Sequence, residues 1–523
     1  IMGEFNTALE LQTMGWNAKG FFAFANGVFY NNEFKEVNKY GIIHLEGIDQ
    51  SEEDGYNERI DYYYSPAFSV MHKKNQDGDD PYENDRKFIY RKSPITLNQW
   101  MNQMILVFED KGRMGVLFNF ATLFRDLFLK NYDFFPLLGG FGEKGSGKSA
   151  FGKVLQNFFF YGLDAFELNS STLVGFSRRL TRTKNVTVFL DEYHDKIDEK
   201  MIQGIKGAHQ GMGREKGMMS NDNRTKTDRI NSSVYMAGQY VPTVDDNSLQ
   251  SRIISLLFPN TTKTATQRDN FNVLMNWSNQ GLSSLIVEIL ENRQFFEDNL
   301  SSTYTEVANE LKASLENIPY EERIFGNYAV ILITYKILSN KIDFPFKYDE
   351  IYDQCLTGII ENSESISYSN GMSDFWNIVQ FLFEARRVNP GADFKIEQPV
   401  DFKVYKSKSK EELITNSNRK KILFLRLNST YQHYVKEASV RENVSPIGEV
   451  TLRNYFQSRP YFIGMVKGKR FEKAVTSCYA FDYDMMSKQD IVCLHALPAE
   501  IPTPGETLPS TGNSTEENDD LPF

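Results

Sequence analysis

The most specific chemistry in the chain is carried by one short run, Gly142-Glu143-Lys144-Gly145-Ser146-Gly147-Lys148-Ser149, which fits G-x-x-x-x-G-K-[ST] at every fixed position. In such a run the glycines let successive backbone N–H groups converge on a β-phosphate. Lys148 brings a mobile positive charge to the β- and γ-oxygens, and Ser149 offers a hydroxyl to magnesium. A helix starting at Ala150 would add its positive N-terminal end. Residues 142–150 are therefore expected to bind ATP together with Mg2+. A second group of chemical interest follows: the apolar run 186–190 ends in Asp191-Glu192, 42 residues (191 minus 149) beyond Ser149. A carboxylate at the end of a buried strand beside a phosphate loop can hold magnesium, and a neighbouring carboxylate can orient the attacking water. Asp191 is thus the expected metal residue beside Ser149, Glu192 the expected base, and Lys148 the expected catalytic cation. Two acids after an apolar strand are common at any strand exit, so the assignment rests on the spacing and on the order of elements.

Those elements are legible as periodicity. Residues 134–138 form a short apolar strand candidate, 139–149 a loop and 150–160 a helix; 186–190 is a second strand, 196–208 a helix and 233–237 a third strand. Strands alternating with helices imply an α/β fold with a parallel sheet covered on both faces. Ahead of the loop, apolar residues between Leu97 and Lys130 recur at three- and four-residue spacing, which predicts two amphipathic helices. Residues 1–95 read as a β-rich lead-in, 96–265 as the nucleotide-binding core, and 266–400 as a helical bundle. A basic module over 401–490 and an acidic tail over 491–523 complete the chain. In the basic module, helices near 423–437 and 450–456 and paired strands near 461–466 and 474–481 resemble a winged helix.

The order of motifs resembles the superfamily 3 helicases, ring-forming AAA+-like ATPases of phages, plasmids and mobile elements. The resemblance spans roughly residues 115–260. It implies a polar sensor at Gln239, three residues before Pro242, where the family usually carries asparagine. It also implies an arginine acting across a subunit interface at Arg252, ahead of the apolar run 253–258, although the family often has two adjacent arginines there. A DNA-gripping hairpin would fall in the segment 211–229, through Arg214, Lys216, Arg224 and Lys226. A homo-oligomeric ring, hexameric by resemblance, that unwinds DNA is the implied assembly. Basic loops are otherwise ordinary solvated faces.

Charge is unevenly distributed. The net value is -11, yet residues 403–470 hold fifteen Lys/Arg against five Asp/Glu, while 500–523 hold six acids and no Lys or Arg. A basic helix-turn-helix with a wing suits duplex or forked DNA, and winged helices also serve as protein docking units. The last residues, Asp519, Asp520, Leu521, Pro522 and Phe523, resemble the acidic tip of bacterial single-stranded DNA-binding proteins. They imply host proteins that recognise such tips as partners; the plainer reading is a solubilising tail.

With 41% hydrophobic and 14% aromatic residues the chain can bury ample core. Cys355, Cys478 and Cys493 are too few and too scattered for a disulfide framework or a cysteine-built zinc site. No run reaches the roughly 18 apolar residues of a membrane span, so a cytoplasmic location without membrane contact is expected. The chain begins at Ile1 rather than Met, which suggests a piece of a longer protein. Two other readings fit the same motifs: a regulatory or defence ATPase that switches assembly state without unwinding DNA, and an adaptor in which ATP serves only stability.

Overall fold

The computed structural model describes residues 8–45, 62–72, 80–217, 225–242, 248–260, 264–405, 411–441, 446–457, 459, 461–472, 474–488, 491–492 and 494. The chain divides into two compact units, residues 1–370 and 371–523.

The first unit opens with short strands, β1 (Leu9–Glu10), β2 (Met14–Asn17), β3 (Phe21–Phe24), β4 (Gly27–Tyr30), β5 (Glu33–Glu36), β6 (Ile42–His44) and β7 (Tyr62–Tyr64). Helices α1 (Leu97–Phe108), α2 (Asp110–Leu123) and α3 (Arg125–Tyr132) follow. Then come β8 (Leu137–Phe141), α4 (Lys148–Asn157), β9 (Phe166–Glu167), α5 (Leu173–Thr181), β10 (Thr183–Lys184), β11 (Thr187–Tyr193) and α6 (Glu199–Gln210). The hairpin strands β12 (Arg214–Gly217) and β13 (Thr225–Asp228) precede β14 (Ser233–Gly238) and β15 (Ile253–Leu257). Helices α7 (Ala265–Gln280), α8 (Ser284–Leu290), α9 (Arg293–Ser314) and α10 (Glu322–Leu338) follow, and α11 (Tyr348–Glu384) begins in the first unit and ends within the residues of the second.

The expected parallel sheet is present, with strand order β15-β8-β14-β11-β9 and every neighbouring pair parallel. β8 and β14 are buried along their whole length, as continuous apolar strands in a doubly covered sheet must be. From β8 the chain crosses to β9 at the far edge and returns through β11 and β14, and it then passes over β8 to β15. Loops leaving the carboxyl ends of β8 and β14 therefore diverge, which opens a crevice there.

The region ahead of the sheet differs from the two amphipathic helices expected. It forms three, because Glu109 adopts φ 54° and Phe124 leaves helical geometry, each ending a helix. α1 is amphipathic and starts with a capping box between Thr96 and Gln99. α2 is buried continuously from Met114 to Leu123, as a helix apolar on all sides must be. α10 is equally enclosed. One hydrophobic core runs from Met14 to Ile366, so α7 to α10 share the core of the sheet instead of closing one of their own.

A fully buried guanidinium ties this core to the hairpin. Arg125 donates to the carbonyls of Ala208, Ile230 and Asn231, which flank the excursion on both sides, at 2.7, 3.0 and 3.1 Å. Burial pulls its pKa down to about 9, a sign of how much solvation these carbonyls replace. Beside it Asp126 pairs with Arg293 at 2.6 Å, and the Arg293 guanidinium lies 3.7 Å from the centroid of Trp16, joining the N-terminal strands to α9.

The second unit contains β16 (Phe394–Glu397), β17 (Asp401–Tyr405), β18 (Glu411–Thr415), β19 (Ile422–Leu425), α12 (Leu427–Ala438), α13 (Glu449–Gln457), β20 (Phe462–Arg470), β21 (Val475–Asp482) and α14 (Tyr483–Lys488). Two helices and a strand pair are present here, but residues 423–425, expected to open the first helix, form β19, and β21 and β20 are the middle of an antiparallel sheet ordered β16-β19-β21-β20-β17-β18. The unit is therefore larger than a helix-turn-helix with a wing. Its core is aromatic, with Trp376, Tyr434, Phe456 and Phe481 in contact through Phe375 or directly. Cys355 and Cys478 are buried free thiols. Among the described residues no helix is long and apolar enough to cross a membrane.

Replacing Arg125 by Met is expected to leave its carbonyl partners without donors in a dry site. Stability should fall by about 3 kcal/mol, read as a lower urea midpoint than the parent chain.

Candidate functional site

The crevice at the carboxyl edge of the sheet collects most of the residues singled out from sequence. The loop after β8 turns through positive φ at Gly145 (84°) and Gly147 (101°), a conformation that side chains with a Cβ resist, and α4 starts directly at Lys148. Lys148 Nζ lies over the loop and donates to the Glu143 carbonyl at 3.0 Å. Ser149 Oγ donates to Asp191 Oδ1 at 3.2 Å, so the two residues expected to share a metal are adjacent. Gln239 stands one residue beyond β14, whose Gly238 pairs with Phe141 and whose carbonyl accepts from Gly142 N–H. It is therefore beside the start of the loop.

The acidic pair does not follow a regular strand. The register of β11 against β14 shifts between Leu190 and Tyr193, and Glu192 sits at φ 59°, an unusual value for a residue other than glycine, asparagine or aspartate. Such a bulge re-aims successive side chains. Asp191 turns to Ser149, and Glu192 Oε2 accepts from Asn169 Nδ2 at 3.0 Å. His194 Nδ1 accepts from the Lys196 N–H, which leaves the ring proton on Nε2 to meet Asn169 Oδ1 at 2.6 Å. That chain fixes the orientation of the Asn169 amide. Glu167, opposite Asp191 in the β9 register, adds a third carboxylate; burial first, then Asp191 and Glu192, raise its pKa.

Beneath the loop lies Tyr235, fully buried on β14, whose hydroxyl donates to the Lys148 carbonyl at 2.8 Å. A Cβ on Gly140 would stand 2.0 Å from its oxygen, and one on Gly152 would stand 2.4 Å from its ring. Burial, then Asp191, push its pKa well up, so it remains a donor. Asn169, Glu167 and Tyr235 were not found by motif reading. The only sequence signal for them is position at the ends or middle of strands, which many residues share.

A triphosphate with magnesium fits these groups. Ser146 Oγ is buried without a hydrogen-bond partner, at a point where the loop is shaped to surround an anion. No cluster of three or more metal-binding side chains exists among the described residues. A hydroxyl with one carboxylate, completed by phosphate oxygens and water, is the donor set that suits Mg2+.

Arg252 lies elsewhere. It ends a short 3-10 turn (Gln250–Arg252) at the amino end of β15, where Ile253 pairs with Leu137, whereas the loop begins beyond Phe141 opposite Leu257. Four strand steps, about 13 Å, separate it from its own loop. Within this region Arg252 Nη1 donates to the Ser248 carbonyl. The hairpin β12–β13 projects from the same amino edge, with Arg214 opposite Asp228 and Lys216 opposite Lys226 in register. Arg224 and the tip Asp519 to Phe523 lie outside the described residues. In the second unit several basic residues are already paired within the chain: Lys420 with Asp482, Lys469 with Glu397, Lys403 with Glu411, and Arg453 with Glu449.

No protein-family model and no curated protein matches the sequence. Solved structures with partial similarity include an active helicase, Cch of SCCmec type IV, at 15% identity and TM-score 0.44, covering 76% of this chain and 72% of that one. The JCV helicase gives 13% identity and TM-score 0.24 over 50% of this chain and 66% of its own. The NrS-1 C-terminal region gives 12% identity and TM-score 0.23 over 76% and 97%. Similarity at this level establishes neither family nor function.

An Asn169→Ala substitution frees Glu192 from a charge-assisted hydrogen bond of about 1.5 kcal/mol. Unstimulated nucleotide turnover is expected to rise by up to about tenfold with KM unchanged, measured by steady-state phosphate release.

Proposed function

We propose that this chain is an ATP-driven DNA helicase or translocase of the superfamily 3 type, acting in replication of a phage or mobile element. The observation that carries the reading is the 3.2 Å approach of Ser149 Oγ to Asp191 Oδ1 at the mouth of a parallel sheet, directly where a glycine-bent loop enters α4. Sequence spacing alone could have left these groups apart.

In this reading the loop N–H groups and Lys148 bind the phosphates, with the start of α4 adding its partial positive charge. Ser149 and Asp191 would hold Mg2+, which when bound supplies charge neutralisation at the β- and γ-oxygens. Glu192 orients the attacking water and accepts its proton, while Asn169 sets where that carboxylate rests. Gln239 is assigned to sense the γ-phosphate. Arg252 lies too far along the sheet to serve its own loop and is assigned to the nucleotide of a neighbouring subunit in a ring, hexameric by resemblance. The hairpin residues Arg214, Lys216, Arg224 and Lys226 are the proposed DNA grip, since contacts of basic residues to phosphates are electrostatic and indifferent to sequence.

Lys148→Ala is expected to abolish ATP hydrolysis, and Glu192→Gln to retain nucleotide binding while turnover falls by at least roughly 10²-fold. Forked-DNA strand displacement measured on the same preparations decides the helicase part. Hydrolysis without displacement or DNA stimulation would favour an ATPase that switches assembly state. A separate proposal concerns the end of the chain, where Asp519, Asp520, Leu521, Pro522 and Phe523 join carboxylates to an apolar tip. A peptide of the tail should bind a host protein that recognises the tip of single-stranded DNA-binding protein, and removal of Phe523 should abolish that binding at moderate salt. Equal binding with and without Phe523 would reduce the tail to a solvating one.

A further inference from the structure

α10 brings a second arginine to the turn that carries Arg252. Arg323, in the first turn of α10, donates through Nη1 to Ser251 Oγ at 3.0 Å, and Arg252, the next residue, donates to the Ser248 carbonyl. One helical turn further, Asn327 Nδ2 donates to the Ser251 carbonyl at 3.0 Å, while its Oδ1 meets His209 Nε2 at 3.0 Å. The turn is thus held from two positions on one helix face. Both guanidiniums are anchored by single neutral oxygens, and among the described residues neither has a carboxylate within ion-pair distance.

Among the described residues no acid compensates this positive charge. Arg252 is half-buried, its Nε has no hydrogen-bond partner, and its pKa is lowered by burial first and then by Arg323. His209, behind the turn, has its pKa lowered to about 3 by burial, with Arg252, Arg323 and Arg125 adding repulsion against the Asn327 contact. Arg323 is exposed and Arg252 is partly so. Two adjacent guanidiniums without an acid are a fork for an anion that comes from another molecule. The chain's own loop lies about 13 Å further along the sheet, beyond side chains already fastened to Ser248 and Ser251.

We infer that Arg323 and Arg252 together form a two-arginine clamp for the phosphates of a nucleotide bound by a second copy of this chain, Arg323 being supplied from the helical region rather than from the segment next to Arg252. This rests on the ATPase reading above. It makes Arg323 a catalytic residue acting in trans, with Asn327 as a positioning residue that fixes the turn between the two.

The test uses the full chain with Arg323→Ala and Arg323→Lys. Arg323→Ala should lower kcat by roughly 10²-fold with KM for ATP within about twofold, an unchanged thermal melt, and unchanged affinity for forked DNA at fixed salt. Arg323→Lys should recover only part of the loss, because an ammonium cannot form the fork. A mixture of Arg323→Ala with Glu192→Gln subunits should regain turnover above either parent, since some interfaces then join an intact Glu192 to an intact Arg323. Near-normal kcat in Arg323→Ala, or no recovery at any mixing ratio, overturns the clamp. Loss of DNA affinity with turnover retained would show that the arginines meet the DNA backbone instead, and also overturns it. Hydrolysis by the parent chain and its dependence on Lys148 are measured first, so failure of the nucleotide reading appears there; a parent that neither hydrolyses ATP nor self-associates with a non-hydrolysable analogue removes both.

Discussion

The loop after β8 can lie where it does because a single phenol is wedged beneath it. Tyr235 fills the space between β8, β14 and α4, with its ring against Phe151 and Phe189 and its hydroxyl on the Lys148 carbonyl. Only the missing side chains of Gly140 and Gly152 allow that fit. A buried hydroxyl that lost its acceptor would cost as much as a hydrogen bond typically contributes and more, so the first turn of α4 is held at one height above the sheet. The position of Lys148 and Ser149 relative to Asp191 follows from that height. The apolar packing of α2 against the other side of α4 closes the site from behind, with Gly115 against Phe151 and Leu155.

The sheet separates two kinds of chemistry by about the length of a strand. At its carboxyl edge lie the glycine-bent loop with Lys148, the carboxylates Glu167, Asp191 and Glu192, and the Asn169–His194 pair. Toward its amino edge lie Arg252 and the exposed Arg323, with the buried Arg125 fastened to backbone carbonyls at the base of the hairpin. The buried bridge from His209 through Asn327 to Ser251 joins the base of the hairpin to the turn of Arg252, so the two features of the amino edge share one polar contact network.

In the second unit the local excess of basic residues is smaller in effect than in count. Ion pairs to Glu397, Glu411, Glu449 and Asp482 occupy several of the cations, and Lys467 rests over the Tyr405 ring at 3.9 Å. Exposed pairs of this kind contribute little stability, but they reduce the free charge offered to a polyanion. Composition over a window overstates a binding surface whenever the acids within it fold onto the bases.

The sequence by itself determined the parts that depend on local geometry. Glycines at fixed spacing permit a bend that residues with a Cβ resist, and apolar strands alternating with helices favour a parallel sheet, so the turn of the loop after β8, the strands of that sheet and the α/β class were legible from spacing. The tertiary structure decided what depends on residues distant in sequence. α2 and α10 are enclosed on all sides because neighbours from several elements cover them, which no single periodicity reveals, and two expected helices became three where Glu109 and Phe124 broke the backbone. The bulge at Glu192 is a property of pairing with β14, so the partners of Asp191 and Glu192 could not be read from adjacent residues. Arg323 lies 71 residues (323 minus 252) beyond Arg252 in the chain, yet stands beside it because α10 packs on the edge of β15. Contacts made by packing carry no period in the sequence, and for that reason Tyr235, Asn169 and Arg323 emerged only with the fold.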